Sequence, residues 1–160
     1  MAVFSPSHIL PFFYELNVLL FIGIEISIIV LARFLFKNNL ANEKHYQSFM
    51  KFLRVFFNIK FILLIFIAIS GAVIAYSDSF KISDPMINAL VKTLWTLFGF
   101  IIINIVYMVL KLKNARKAYL KSNFIEVQEK LILICFYFTP LNLVISFICV
   151  YLGIVFRNFS

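Results

Sequence analysis

The chain predicts an all-α fold, a polytopic bundle of four transmembrane helices running up-down-up-down, and three observations carry that expectation. Of its 160 residues, 63% are hydrophobic and only 14% charged, where a water-soluble domain carries about 25% charged residues, and the mean hydropathy is +1.00. Four apolar stretches are each long enough to supply the roughly 20 helical residues that cross a bilayer core. The basic residues gather in alternate connections between those stretches. One integral membrane domain over residues 1–160 is therefore expected, without a soluble unit beside it.

The elements follow in order. Ser5, Pro6, Ser7 and Pro11 give a non-helical or interfacial lead, with Pro11 suited to a first helical turn because its missing N–H costs nothing there. A first helix is expected over about 12–36, carrying Glu15, Asn17, Gly23 and Glu25. The absence of Lys and Arg before Arg33 argues against a cleaved signal peptide. After a polar connection at 38–48, an amphipathic lead near Phe49 opens a second helix whose span covers about 55–76. Its Ala68, Gly71, Ala72 and Ala75 make a small surface for a neighbour. Ser83-Asp84-Pro85 is a helix-starting signal for a third helix over about 86–110. Within it, Thr93 to Leu110 is uncharged, with Lys92 before it and Lys111, Lys113, Arg116, Lys117 and Lys121 behind it, and Gly99 permits close approach of a neighbour. A basic loop then extends to about Gln128, free of Gly and Pro from Lys111 to Lys121 and so open to helical continuation. The fourth helix, about 131–156, contains Pro140, which predicts a kink.

Charge bias orients the bundle. Arg33, Lys37, Lys44, Lys51, Arg54 and Lys60 surround the first connection against Glu43 alone, and the third holds Lys111, Lys113, Arg116, Lys117, Lys121 and Lys130 against Glu126 and Glu129. The second carries Asp78, Lys81 and Asp84. Positive connections stay inside, which predicts external or periplasmic termini, with a bacterial inner membrane as the expected location. The formal charge of +8 marks the face toward anionic lipid rather than a nucleic-acid partner. Cys135 and Cys149 share one helix and form neither a disulfide framework nor a C-x-x-C motif.

Polar residues at membrane depth are the candidate site. Glu25 falls about 3 Å from the midplane of its helix, where an exposed carboxylate is costly, so it should face the interior, protonated or paired. Lys60, about 9 Å to the inner side of its own helix centre, has a stem long enough to reach back to it. Such a group is either a structural ion pair or hydrogen-bonded acid, or a proton, ion or substrate site. Glu15 and Lys92 stand at a similar outer depth and either pair across a cleft or snorkel separately to the headgroups. Asn104 and Asn142 add polar groups for packing hydrogen bonds or a ligand, and Asn142, Ser146, Cys149 and Gly153 share one helical face.

His8 and His45 lie at opposite membrane faces, which does not suit paired axial ligation of a haem, and two histidines are too few for a metal cluster, so no metal site is expected. H-E-x-x-H, G-x-S-x-G, P-loop and Rossmann motifs are absent. The order of features nevertheless resembles the family of small four-helix membrane proteins that includes the protoporphyrinogen oxidase HemJ and the copper-resistance CopD-like proteins. The residues that carry this resemblance are Gly23 followed by Leu31-Ala32-Arg33-Phe34, Gly71, Lys92, and Phe124-Ile125-Glu126-Val127. It implies a membrane site for haem or another tetrapyrrole served by a helix-1 histidine and a helix-3 lysine; Lys92 stands at the lysine, and Glu15 lies nearest the histidine position.

Two functions are thus expected. One is a noncatalytic membrane subunit or small-molecule transport accessory, with a membrane-protein partner or a second copy of itself. The other is a redox or tetrapyrrole- or metal-binding protein using an internal carboxylate–lysine site.

Overall fold

The computed structural model describes residues 6–37, 43–76 and 85–159, and the side chains of 12–37, 45–73, 85, 86 and 88–154. Its elements are α1 (Pro6–Lys37), α2 (Glu43–Tyr76), α3 (Pro85–Leu120), α4 (Phe124–Ile132), a π-helical segment (Leu133–Phe138) and α5 (Thr139–Phe159). The last three run on from one another as the fourth span. Four long apolar helices result, each able by length and composition to cross a membrane.

All four helices outrun the apolar stretches that announced them. α1 starts at Pro6 and continues through Pro11, and α2 starts at Glu43, one to two turns before the lead expected near Phe49. α3 runs on to Leu120 through the basic segment, the helical continuation that its lack of Gly and Pro allowed, and α4 begins at Phe124 rather than near Leu131. Hydropathy ends where side chains meet headgroups, whereas a helix ends where its backbone hydrogen bonds do. The basic stretches contain good helix formers and no Gly or Pro, so nothing stops the helix at the membrane edge.

α1 packs on α2 and α5, and α3 packs on α2 and on the fourth span, so α1 and α3 stand at opposite corners. At the end that carries the α3–α4 turn, Ala32, Leu35, Tyr46, Phe49, Met50, Leu53, Leu112, Ala115, Ala118, Val127 and Leu131 form a dense core. A smaller core farther out gathers Phe21, Leu63, Leu64, Ile67, Ile101 and Ile105. Beyond it the helices are loosely packed: among the described residues, none of 85–100 on α3 and none of 147–154 on α5 is buried. Gly71 does approach its neighbour, with Tyr14 Cε2 at 3.7 Å from where a side chain would begin, but nothing lies within 4 Å of Gly99 or Gly153. The close approach expected at Gly99 is therefore not made, because its stretch of α3 lies in the loosely packed half. The outward faces carry Phe, Ile, Leu and Val, such as Ile103, Leu19, Phe34 and Phe52, which suits hydrocarbon rather than water.

α3 and α4 are joined by a tight turn. The Asn123 N–H donates to the Ala118 carbonyl at 3.1 Å and the Ser122 N–H to the Tyr119 carbonyl at 3.0 Å, with Ser122 at φ 57°. That is a Schellman ending with serine at the left-handed position glycine normally fills. Asn123 then starts α4, its side-chain oxygen accepting from the Glu126 N–H at 3.3 Å.

The disturbance expected at Pro140 takes the form of the preceding π-turn. Pro140 has no N–H to offer the ladder, and both the N–H and the hydroxyl of Thr139 donate to the Ile134 carbonyl, the hydroxyl at 2.8 Å. The π-turn also corrects the helix phase. Val127 and Ser146, both buried, are 19 positions apart, while five α-helical turns take about 18. Inserting one residue as a π-turn brings the buried face of α5 back into line with that of α4.

Ser122→Gly removes the Cβ from a left-handed residue and should stabilise the detergent-solubilised protein by about 0.5–1 kcal/mol; Ser122→Val should destabilise it. Thermal unfolding reads both, and identical melting of all three proteins would show that the turn does not hold this geometry.

Candidate functional site

Each span carries into the interior at least one polar residue, set in its buried stripe. On α1 the stripe is Phe21, Ile22, Glu25, Ile28, Ala32 and Leu35; on α2 it includes Phe57, Lys60, Leu63, Leu64 and Ile67. On α3, Asn104 sits between Ile101 and Met108, and on α5 Asn142 lies between Thr139 and Ser146. The three-and-four spacing faces each stripe inward, so its polar members are carried in with it.

The four side chains meet between the two cores. Lys60 Nζ lies 2.8 Å from Glu25 Oε2, and both side chains are 0% exposed. Asn142 Nδ2 donates to Glu25 Oε1 at 3.3 Å and contacts Met108 Sδ at 3.5 Å. Asn104 Nδ2 donates to Asn142 Oδ1 at 2.6 Å and to the Phe138 carbonyl at 3.2 Å. The chain of contacts therefore runs Lys60, Glu25, Asn142, Asn104, through one residue of α2, α1, α5 and α3. Ser146 and Thr139 turn their hydroxyls back to carbonyls of their own helix, to Asn142 at 2.8 Å and to Ile134.

Lys60 has three donors and, among the described residues, one ion-pair partner, the Glu25 carboxylate. Its ammonium also faces the rings of Phe57 at 5.2 Å and Phe21 at 5.9 Å from their centroids. Those faces are attractive to a cation and exclude water from it. The arrangement balances its own charge internally and ties four helices together. It is a sealed polar centre.

Glu15 and Lys92 do not join it. Both are exposed, on helices at opposite corners of the bundle, outside the buried contact chain. The Lys92 carbonyl accepts the Thr96 hydroxyl at 2.8 Å. His45 is half-buried at the start of α2, and the side chain of His8 lies outside the described residues. Among the described residues, no group of three or more His, Cys, Asp or Glu gathers as a metal site. Phe21 and Phe57 are the members that sequence reasoning missed. Their signal was spacing: Phe21 precedes Glu25 by four and Phe57 precedes Lys60 by three, which puts each ring on the face of its charged neighbour.

Removing one member of a buried pair strands the other charge, at about 3–5 kcal/mol, whereas replacing both with apolar side chains is often neutral. Glu25→Leu and Lys60→Met should therefore each destabilise the bundle strongly, and the double variant should be more stable than either. Denaturation in detergent with a double-mutant cycle checks this; additive losses would show that the two do not act as a pair. No family model matches the chain, and no curated protein and no solved structure matches it either.

Proposed function

We propose that this protein is a noncatalytic subunit of a membrane assembly, or an accessory to small-molecule transport, in which the polar centre acts as a latch between helices. The observation that carries this reading is the sealed contact chain to which every span gives one side chain. A group buried on all sides is suited to fixing helix register, since polar contacts in lipid hold helices together where the hydrophobic effect does not. The apolar outer half of α3, with Trp95 and Phe98 in an edge-to-face pair at 5.9 Å, offers contact area to a membrane partner. The up-down-up-down path and the external position of both termini belong to the same proposal and rest on the basic residues near the first and third connections. A bacterial inner membrane is the proposed location.

Gentle purification from native membranes should bring down a second membrane protein in fixed proportion, and isolation of this chain alone would count against the subunit reading. Accessibility tags at each terminus should react from the outside of intact cells; a cytosolic tag at either end would overturn the orientation.

A second reading, binding of an anionic tetrapyrrole, is favoured by the loose outer half, where a flat apolar ring could lie between helices near the exposed Lys92. On that reading Lys92→Ala lowers affinity for an anionic porphyrin without changing thermal stability, and unchanged affinity in a titration would remove it.

A further inference from the structure

At the inner end, where α3 turns into α4, Asn114, Lys117, Ala118, Lys121, Glu126 and Lys130 line an open-sided cavity of about 220 Å³. Glu126 is engaged on α4 itself, pairing with Lys130 and accepting from Asn123 Nδ2 at 3.2 Å. Lys117 and Lys121 are exposed, and among the described residues no carboxylate lies within ion-pair distance of either. Three ammonium groups and one carboxylate leave the cavity with net positive charge. The Asn114 amide adds donors of the kind that bind phosphate oxygens.

Two features point to a lipid as the source of that phosphate. α3 has 36 residues, which rise about 54 Å, against about 40–45 Å for a bilayer with its headgroups. It is therefore long enough for its last turns to reach the headgroup layer and pass beyond it. Beside the cavity, Leu120 is 77% exposed and Ile125 82%, more than any other large hydrophobic side chain described. A phosphate dissolved in water gives those side chains nothing to contact, whereas a phospholipid brings apolar chains alongside its anionic head. Basic pockets between helices at the membrane edge are suited to such headgroups.

We propose that the α3–α4 corner is a binding site for an anionic phospholipid, with Lys117 and Lys121 on its phosphate, Lys130 beside them, and Leu120 and Ile125 against its chains. The site is separate from the buried polar centre and does not depend on the protein's role as a subunit.

The test places the full chain in phosphatidylcholine nanodiscs containing phosphatidylglycerol and reads by native mass spectrometry which lipids stay bound. At about fivefold per lysine, K117Q/K121Q should lower phosphatidylglycerol retention roughly 25-fold relative to phosphatidylcholine. The control K51Q/R54Q, which removes the same charge from the exposed face of α2, should leave retention near that of the unaltered chain. Glu126→Gln should increase retention by freeing Lys130, which gives a gain-of-binding readout that loss of folding cannot imitate. Equal loss in the two double variants would reduce the effect to diffuse surface charge and overturn the site. Displacement of the lipid by millimolar inorganic phosphate would overturn the lipid assignment in favour of a free anion.

Discussion

A carboxylate and an ammonium group removed from water must meet each other, and the rest of this structure is arranged around that necessity. Glu25 and Lys60 come from different helices, lie at bilayer depth and are wholly buried. Neither could stay charged there alone without a large penalty. Once they pair, α1 and α2 are fixed in register, because sliding either helix by one turn, about 5.4 Å, separates the charges. Asn142 and Asn104 extend the same condition to α5 and α3.

The π-turn belongs to that condition. Without its extra residue, a helix continuing from the buried face of α4 would turn Asn142 and Ser146 away by about a quarter of a turn. Asn142 would then leave the Glu25 carboxylate with Lys60 alone. Pro140 supplies the local reason for a break in the ladder, and Thr139 satisfies the carbonyl of Ile134 at the break. A local defect in the fourth span thus aligns a contact that every span shares.

Packing density along the bundle follows from what surrounds it. The basic ends of α2, α3 and α4 extend past the apolar windows toward water, where burying Tyr46, Phe49, Met50 and Val127 gains from the hydrophobic effect, and there the core is dense. Toward the opposite end the helices face lipid tails that are as apolar as they are. Association then relies on close contact and polar bonds, and the packing is correspondingly loose. Basic residues gather at the densely packed end, and at the α3–α4 corner three of them line a cavity with Asn114, Ala118 and Glu126.

The class of fold was legible in the sequence because hydrocarbon imposes a length and a composition on any helix that crosses it, and Thr93 to Leu110 meets both without assistance. The burden on Glu25 was legible for the same reason, since depth alone makes a carboxylate seek a partner, and the reach of Lys60 named one. Helix ends were not, because Glu43 and Leu120 lie where polarity stops reporting on backbone hydrogen bonds. Nor could one sequence decide that Glu15 and Lys92 stay exposed while Asn104 and Asn142 are buried. All four are polar residues on apolar helices, and which way each one turns depends on helix rotation and neighbour order, which are set only when all the spans pack against one another.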